Sequence, residues 1–247
     1  MIDAQTYLEH VQRDGERIAQ IAEGHLDAPV PTCPGNTVGS MLLHTAGVCV
    51  FWTDAMRLNR RPTQRDRDWG AMPTDPIELH RTTHGEFVQE LSSRDPDQPT
   101  WTWGGQLPLR FWYRRSAQEM AVHRWDIENA VTTAVPIDPT LAMDGIDELL
   151  FVFGPAAPMD SEFKGASERF GGSGETFRLE PTDLAEATTF EAHQDRFERV
   201  NDSAPDVTAR GSASDLLLFL WGRVGPERLD VSGDDALLSR WQERVRI

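Results

Sequence analysis

Cysteine, lysine and long apolar runs are all scarce in this chain of 247 residues, and each scarcity removes a class of protein. Two cysteines, Cys33 and Cys49, are too few for a disulfide framework and lack the CxxC spacing of a cysteine zinc site. Two reduced thiols are therefore expected. Cys33 directly precedes Pro34-Gly35 and a helix start, a setting in which a thiol pKa can be lowered. The longest apolar stretches, residues 149–153 and 216–221, fall far short of the roughly 20 residues that a membrane span needs. The start Met-Ile-Asp-Ala-Gln lacks the basic and apolar segments of a signal peptide, so the cytoplasm is the expected location. Basic residues are few as well. Forty Asp and Glu face 24 Lys and Arg, of which Lys164 is the one lysine, the arginine bias of a GC-rich genome. A formal charge of −16 repels phosphate backbones and anionic lipid, which argues against nucleic acid or membrane partners.

What the chain does have is enough apolar residue, 39 %, to build cores, and enough length for two domains. Residues 4–23 carry Tyr7, Leu8, Val11, Ile18, Ile21 and Ala22 on one helical stripe. A Pro- and Gly-rich segment follows, and Asn36 or Thr37 is positioned to cap a second helix over residues 38–58. Residues 59–75 read as a surface loop. A third helix starts near Pro76 with the stripe Ile77, His80, His84, Phe87, Val88 and Leu91, and residues 95–106, with Trp101 and Trp103, read as a second loop. A fourth helix spans about residues 109–132 without internal Gly or Pro, and a fifth spans 141–153. Gly154-Pro-Ala-Ala-Pro158 then breaks the pattern, which puts a domain boundary between residues 157 and 158. Beyond it, expected strands at 176–179, 188–200, 207–210 and 229–231 alternate with helices at 212–222 and 236–245. The fold class is α+β in two domains, a helical bundle over 1–157 and a small α+β domain over 158–247.

Glu119 and His123 lie four apart on the fourth helix, one turn apart and on one face. Asp126, three further on, shares that face and is placed either to hold the His123 ring or to serve as another oxygen ligand. His44 sits on the second helix among Met41, Leu42, Leu43, Val48 and Phe51, where an imidazole without a partner is costly to desolvate. Two imidazoles and a carboxylate from facing helices are a recurrent way to hold a divalent ion with positions to spare, and zinc suits those donors best. His80 and His84 form a competing i, i+4 pair, but the one nearby carboxylate at matching spacing, Glu78, points off the stripe, so core packing or a pocket wall is the expected role. Gly171-Gly-Ser-Gly174 lacks the flanking strand and helix of a phosphate loop and reads as a turn.

Three stretches resemble the mycothiol-dependent maleylpyruvate isomerase family of DinB-like metal-binding bundles. Val30-Pro-Thr-Cys-Pro-Gly-Asn-Thr-Val-Gly-Ser-Met-Leu-Leu-His44 is similar to the family's approach to its first metal histidine, with Asn36 in place of the usual Trp. Arg114-Arg-Ser-Ala-Gln-Glu119-Met-Ala-Val-His123-Arg-Trp-Asp126 is similar to the stretch that supplies its other two ligands. Gly211-Ser-Ala-Ser-Asp-Leu-Leu-Leu-Phe-Leu-Trp-Gly-Arg223 looks like the signature of its C-terminal domain, which carries a functional arginine.

The resemblance implies a DinB-like four-helix bundle followed by a sterol-carrier-like domain. It further implies zinc or another divalent metal on His44, Glu119 and His123, and mycothiol as cosubstrate. A metal-coordinated thiolate would add to a small electrophile such as a maleylpyruvate-like unsaturated acid, as isomerase or S-transferase. Arg223 becomes the candidate for gripping a substrate carboxylate, with Arg110 and Arg114 as weaker candidates. Two other readings fit the same residues: a metal-dependent hydrolase with water at the open position, and a non-catalytic small-molecule binding protein.

Overall fold

Side-chain caps set where the helices of the first half begin. A computed structural model describes residues 2–152, 165–201 and 204–245, and the chain divides into two compact units, Met1–Val135 and Pro136–Ile247. In the first unit α1 spans Ala4–Ala22, opened by the Asp3 carboxylate accepting from the Thr6 amide. Helix α2 spans Val38–Leu58. Thr37 and Ser40 close a reciprocal capping box at its start, and Asn59 ends it in the left-handed region at φ 49°. Helix α3, Pro76–Ser92, begins with Asp75 accepting from two backbone amides and Pro76 in the first turn. Helix α4, Arg110–Val131, packs mainly on α1, and α2 packs mainly on α3.

Helix α4 is buried along most of its length, polar residues included, so its charges need partners. Glu128 accepts from Arg124 at 2.9 Å, from Arg17 of α1 at 2.8 Å and from the Val135 amide at 2.9 Å. The network fixes α4 against α1 and so fixes the frame that carries Glu119 and His123. Breaking one side of such a buried pair costs about 3 to 5 kcal/mol.

Residues 95–106, expected as loop, instead contain most of an antiparallel hairpin of β1, Pro99–Thr102, and β2, Gly105–Pro108. Alternation of Thr100, Trp101, Thr102 and Trp103 buries the threonines and leaves the tryptophans half-buried, a period of two over too few residues to stand out. The Asn59 side chain accepts from the Trp101 amide at 2.7 Å, and the Trp101 carbonyl accepts from the Trp112 indole at 3.1 Å, pinning the hairpin to α2 and α4.

In the second unit α5, Pro139–Phe151, packs on α7, Ala213–Leu220, and both face apolar surroundings. The helix expected over 141–153 therefore belongs with the second unit and not with the bundle. The division falls between Val135 and Pro136, while the boundary expected at 157 and 158 lies outside the described residues, as does Lys164. A short α6, Ala166–Phe170, precedes a five-stranded sheet ordered β5-β4-β3-β6-β7. Its strands are β3 Glu175–Pro181, β4 Thr188–Ala192, β5 Phe197–Arg199, β6 Val207–Gly211 and β7 Asp230–Gly233, with β3 and β6 parallel and the other pairs antiparallel. The single strand expected over 188–200 is thus a hairpin, β4 turning into β5. Phe170, Phe177, Phe190 and Phe197 pack with Trp241 of α8, Ala236–Arg244.

Candidate metal centre

Helices α2 and α4 bring His44, Glu119 and His123 together, so that one donor atom from each lies within 4.8 Å of the others. The His44 Nε2 is 3.1 Å from Glu119 Oε1, and the His123 Nε2 is 3.3 Å from the same oxygen. The two imidazoles meet edge to face, with ring centroids 4.9 Å apart. Two ligands on one tetrahedral ion, at bond lengths of about 2.0–2.1 Å, sit about 3.3 Å apart. The separations on Oε1 match that value, and two nitrogens with one carboxylate oxygen form a donor set suited to zinc.

Each of the three candidate ligands is held differently. His123, 11 % exposed at its side chain, places Nδ1 3.1 Å from Asp126 Oδ2, which keeps a proton on Nδ1 and turns Nε2 toward Glu119. Asp126 is itself buried; the Thr32 hydroxyl donates to its Oδ1 at 2.6 Å, and the Cys33 thiol donates to Oδ2 at 3.5 Å. The Pro- and Gly-rich approach to α2 therefore reaches the carboxylate behind His123 on α4. Glu119 Oε2 accepts from Arg115 Nη2 at 3.3 Å. His44, in contrast, is 49 % exposed at its side chain. The expectation of a desolvated His44 is thereby corrected: the apolar neighbours point into the bundle while His44 and Leu43 face outward. What the sequence did not disclose was the support from Thr32 and Arg115, whose only signal was their proximity to ligand-bearing motifs.

Electrostatics follow the geometry. Burial alone would lift the Glu119 carboxyl, but His123, His44 and Arg115 hold it well below the usual carboxylate range. Burial works to lower His123, yet Glu119 and Asp126 raise it to about 9. Cys49 is fully buried in α2, and burial, with a smaller push from Glu119, drives its thiol pKa far up, so it is no nucleophile.

His80 and His84 stand apart from this cluster and take the core role expected of them. His80 is pulled down to about 4 by burial, so its ring is neutral. Its Nε2–H donates to the Gly15 carbonyl at 2.9 Å, and its Nδ1 accepts from the Thr45 hydroxyl at 2.9 Å. His84 donates to the Val11 carbonyl at 3.0 Å, and the two rings stack with an interplanar angle of 8°. Both tie α3 to α1. Gly15 is required there, because a Cβ at that position would lie 2.1 Å from His84 Nε2.

The candidate arginines Arg110 and Arg223 have partners of their own. Arg110 opens α4 and is paired with Asp97. In the second unit, α7 ends in a Schellman motif: Gly222, at φ 69°, donates to Phe219, and the Arg223 amide donates to Leu218. That reversal sets the place of the Arg223 side chain, which donates to the Trp221 carbonyl at 2.8 Å with its guanidinium 6.0 Å from the Trp221 ring centroid.

Fold and site together define a helical bundle with a two-histidine, one-carboxylate donor set, joined to an α+β unit. Residues 9–128 match the family model described as the mycothiol maleylpyruvate isomerase N-terminal domain, and residues 140–240 match the C-terminal domain model of the same family. The chain belongs to the mycothiol-dependent maleylpyruvate isomerase family. Among solved structures it is similar to the crystal structure of the mycothiol-dependent maleylpyruvate isomerase, with a TM-score of 0.66 at 13 % identity over 94 % of this chain and 93 % of that one. A histidine-to-alanine variant of that isomerase gives a TM-score of 0.65 at the same identity and coverage. At that identity the likeness establishes the fold. A comparison with curated proteins gives no match. No helix among the described residues is long and apolar enough to cross a membrane.

Proposed function

We propose that this protein is a metal-dependent enzyme that uses a low-molecular-weight thiol, mycothiol, on a small electrophile of the maleylpyruvate type, as isomerase or S-transferase. The observation that carries the reading is the convergence of His44, Glu119 and His123 in a chain that matches both domain models of the family. A divalent cation, zinc by donor type, would be held by those three side chains and, when bound, supplies a Lewis acid that favours thiolate over thiol.

The chain's own residues do the rest. Asp126, itself held by Thr32, keeps His123 in the tautomer whose Nε2 is available as a donor. Thiolate addition to a conjugated double bond forms a C–S bond and shifts the π electrons toward the substrate carbonyl. Rotation about the resulting single bond, followed by C–S cleavage, returns the thiol and the isomerised alkene. An acidic substrate needs a cation, and Arg223 is the residue assigned to it, since a guanidinium grips a carboxylate through two parallel hydrogen bonds. Arg110 is a weaker choice because it is engaged with Asp97.

The net charge of −16 supports a small-molecule substrate over nucleic acid or an anionic membrane surface. The test is turnover of unsaturated acids and other electrophiles with and without mycothiol. Thiol-dependent turnover that disappears on chelation is expected. Turnover that needs metal but no thiol would assign the site to hydrolysis, and no turnover with any thiol would leave a binding protein.

A further inference from the structure

We infer that Arg115 is a positioning residue that confines Glu119 to coordination through one oxygen, and so keeps room on the cation for the thiol. The inference rests on the metal reading and adds a residue and a coordination mode to it. Arg115 lies one turn before Glu119 on α4, with its side chain only 2 % exposed. Its Nη2 donates to Glu119 Oε2 at 3.3 Å, whereas both histidine Nε2 atoms face Oε1, at 3.1 and 3.3 Å. The two oxygens of a single carboxylate therefore have separate partners.

That division has a coordination consequence. Carboxylates bind cations through one oxygen or through both. Two imidazoles and one oxygen make three ligands and leave the fourth tetrahedral position to an incoming group, whereas a second Glu119 oxygen would fill it. Turning Oε2 toward the cation would draw it off Arg115 Nη2 and weaken a charge-assisted hydrogen bond of a buried guanidinium. The guanidinium thus opposes closure of the site. His44 does not share this constraint, since it approaches from α2 on the exposed side.

The cobalt(II)-substituted protein reads the coordination directly, because its visible bands lose intensity as coordination number rises. In Arg115→Met we expect weaker bands and a spectral response to mycothiol reduced about tenfold or more, with cobalt affinity within the roughly 10- to 100-fold range of outer-ligand changes. Circular dichroism checks the fold. Should Arg115→Met fail to fold, Arg115→Lys retains the buried charge, but its shorter point-charge ammonium lacks the planar fork, and its bands are expected to weaken too. Full band intensity and an unchanged mycothiol response in the folded variant would overturn the role of Arg115. A parent protein that takes up no cobalt would instead overturn the metal reading itself, so the two failures are distinguishable.

Discussion

Metal uptake by this protein is expected to release close to one proton per ion at pH 7.5. In the metal-free arrangement Glu119 and Asp126 raise His123 to about 9, so its Nε2 carries a proton that a cation must displace. With His123 as the competing group, apparent affinity changes tenfold per pH unit well below 9. Between pH 8.5 and pH 6.5 the dissociation constant rises about 80-fold by that linkage. Because the pKa is raised in the free protein, affinity falls as pH falls. Isothermal titration in two buffers of different ionisation heat counts the protons, and chelator competition across the pH range gives the slope. Asp126→Asn removes one source of the elevation and is expected to flatten the slope while weakening binding. Zinc affinity that does not vary between pH 6.5 and 8.5, with no proton released, would refute the placement of His123 as a ligand beside two carboxylates.

Thr32→Val removes the 2.6 Å donor to Asp126 and is expected to weaken metal binding about tenfold, at the lower end of the usual outer-ligand effect; unchanged affinity would break the proposed chain from Thr32 to His123. Gly15→Ala forces a methyl group against His84 and is expected to cost about 1 to 3 kcal/mol in urea unfolding, whereas a neutral or stabilising effect would show that α1 and α3 part easily. His80, held to about 4 against an ordinary 6.5, contributes stability that is present above pH 6.5 and lost as pH falls through about 4. That difference is worth about 3 kcal/mol across the window, read as the pH dependence of the urea midpoint in the parent against His80→Gln. Arg223→Ala is expected to keep metal and lose turnover on acidic electrophiles, and full activity would remove it from the mechanism.

The cluster of His44, Glu119 and His123 was legible because the donor set proposed for it leaves a spacing: Glu119 and His123 are one turn apart, and His44 follows a Cys-Pro-Gly stretch. Burial, the ground on which His44 stood out, was nonetheless mistaken. An imidazole among apolar neighbours on a one-dimensional string reads as buried, while on the helix Leu43 and His44 face outward and Met41, Leu42 and Ala46 face the core. Periodicity of 3.6 residues places side chains around an axis, but it does not say which neighbour covers them. His80 and His84 show the opposite case, since their polar atoms are satisfied by carbonyls on another helix and by a threonine hydroxyl.

Elements set by short local signals were the ones missed. Helix α6 is five residues long and the hairpin strands four each, too short for either period to emerge. The assignment of α5 failed for a different reason. Its sequence dictates a helix, capped by Asp138 and started at Pro139, but the choice of partner is a tertiary matter settled by the apolar face of α7. Proline- and glycine-rich texture marked a boundary after that helix, whereas the packing changes allegiance before it, at Pro136.

Metal stoichiometry of the purified chain, measured beside Glu119→Ala, tests the central claim most directly. About one divalent ion is expected per parent chain and none, or a small residue, in the variant. A parent that never binds an ion, or a Glu119→Ala protein that binds one as tightly as the parent, would contradict it.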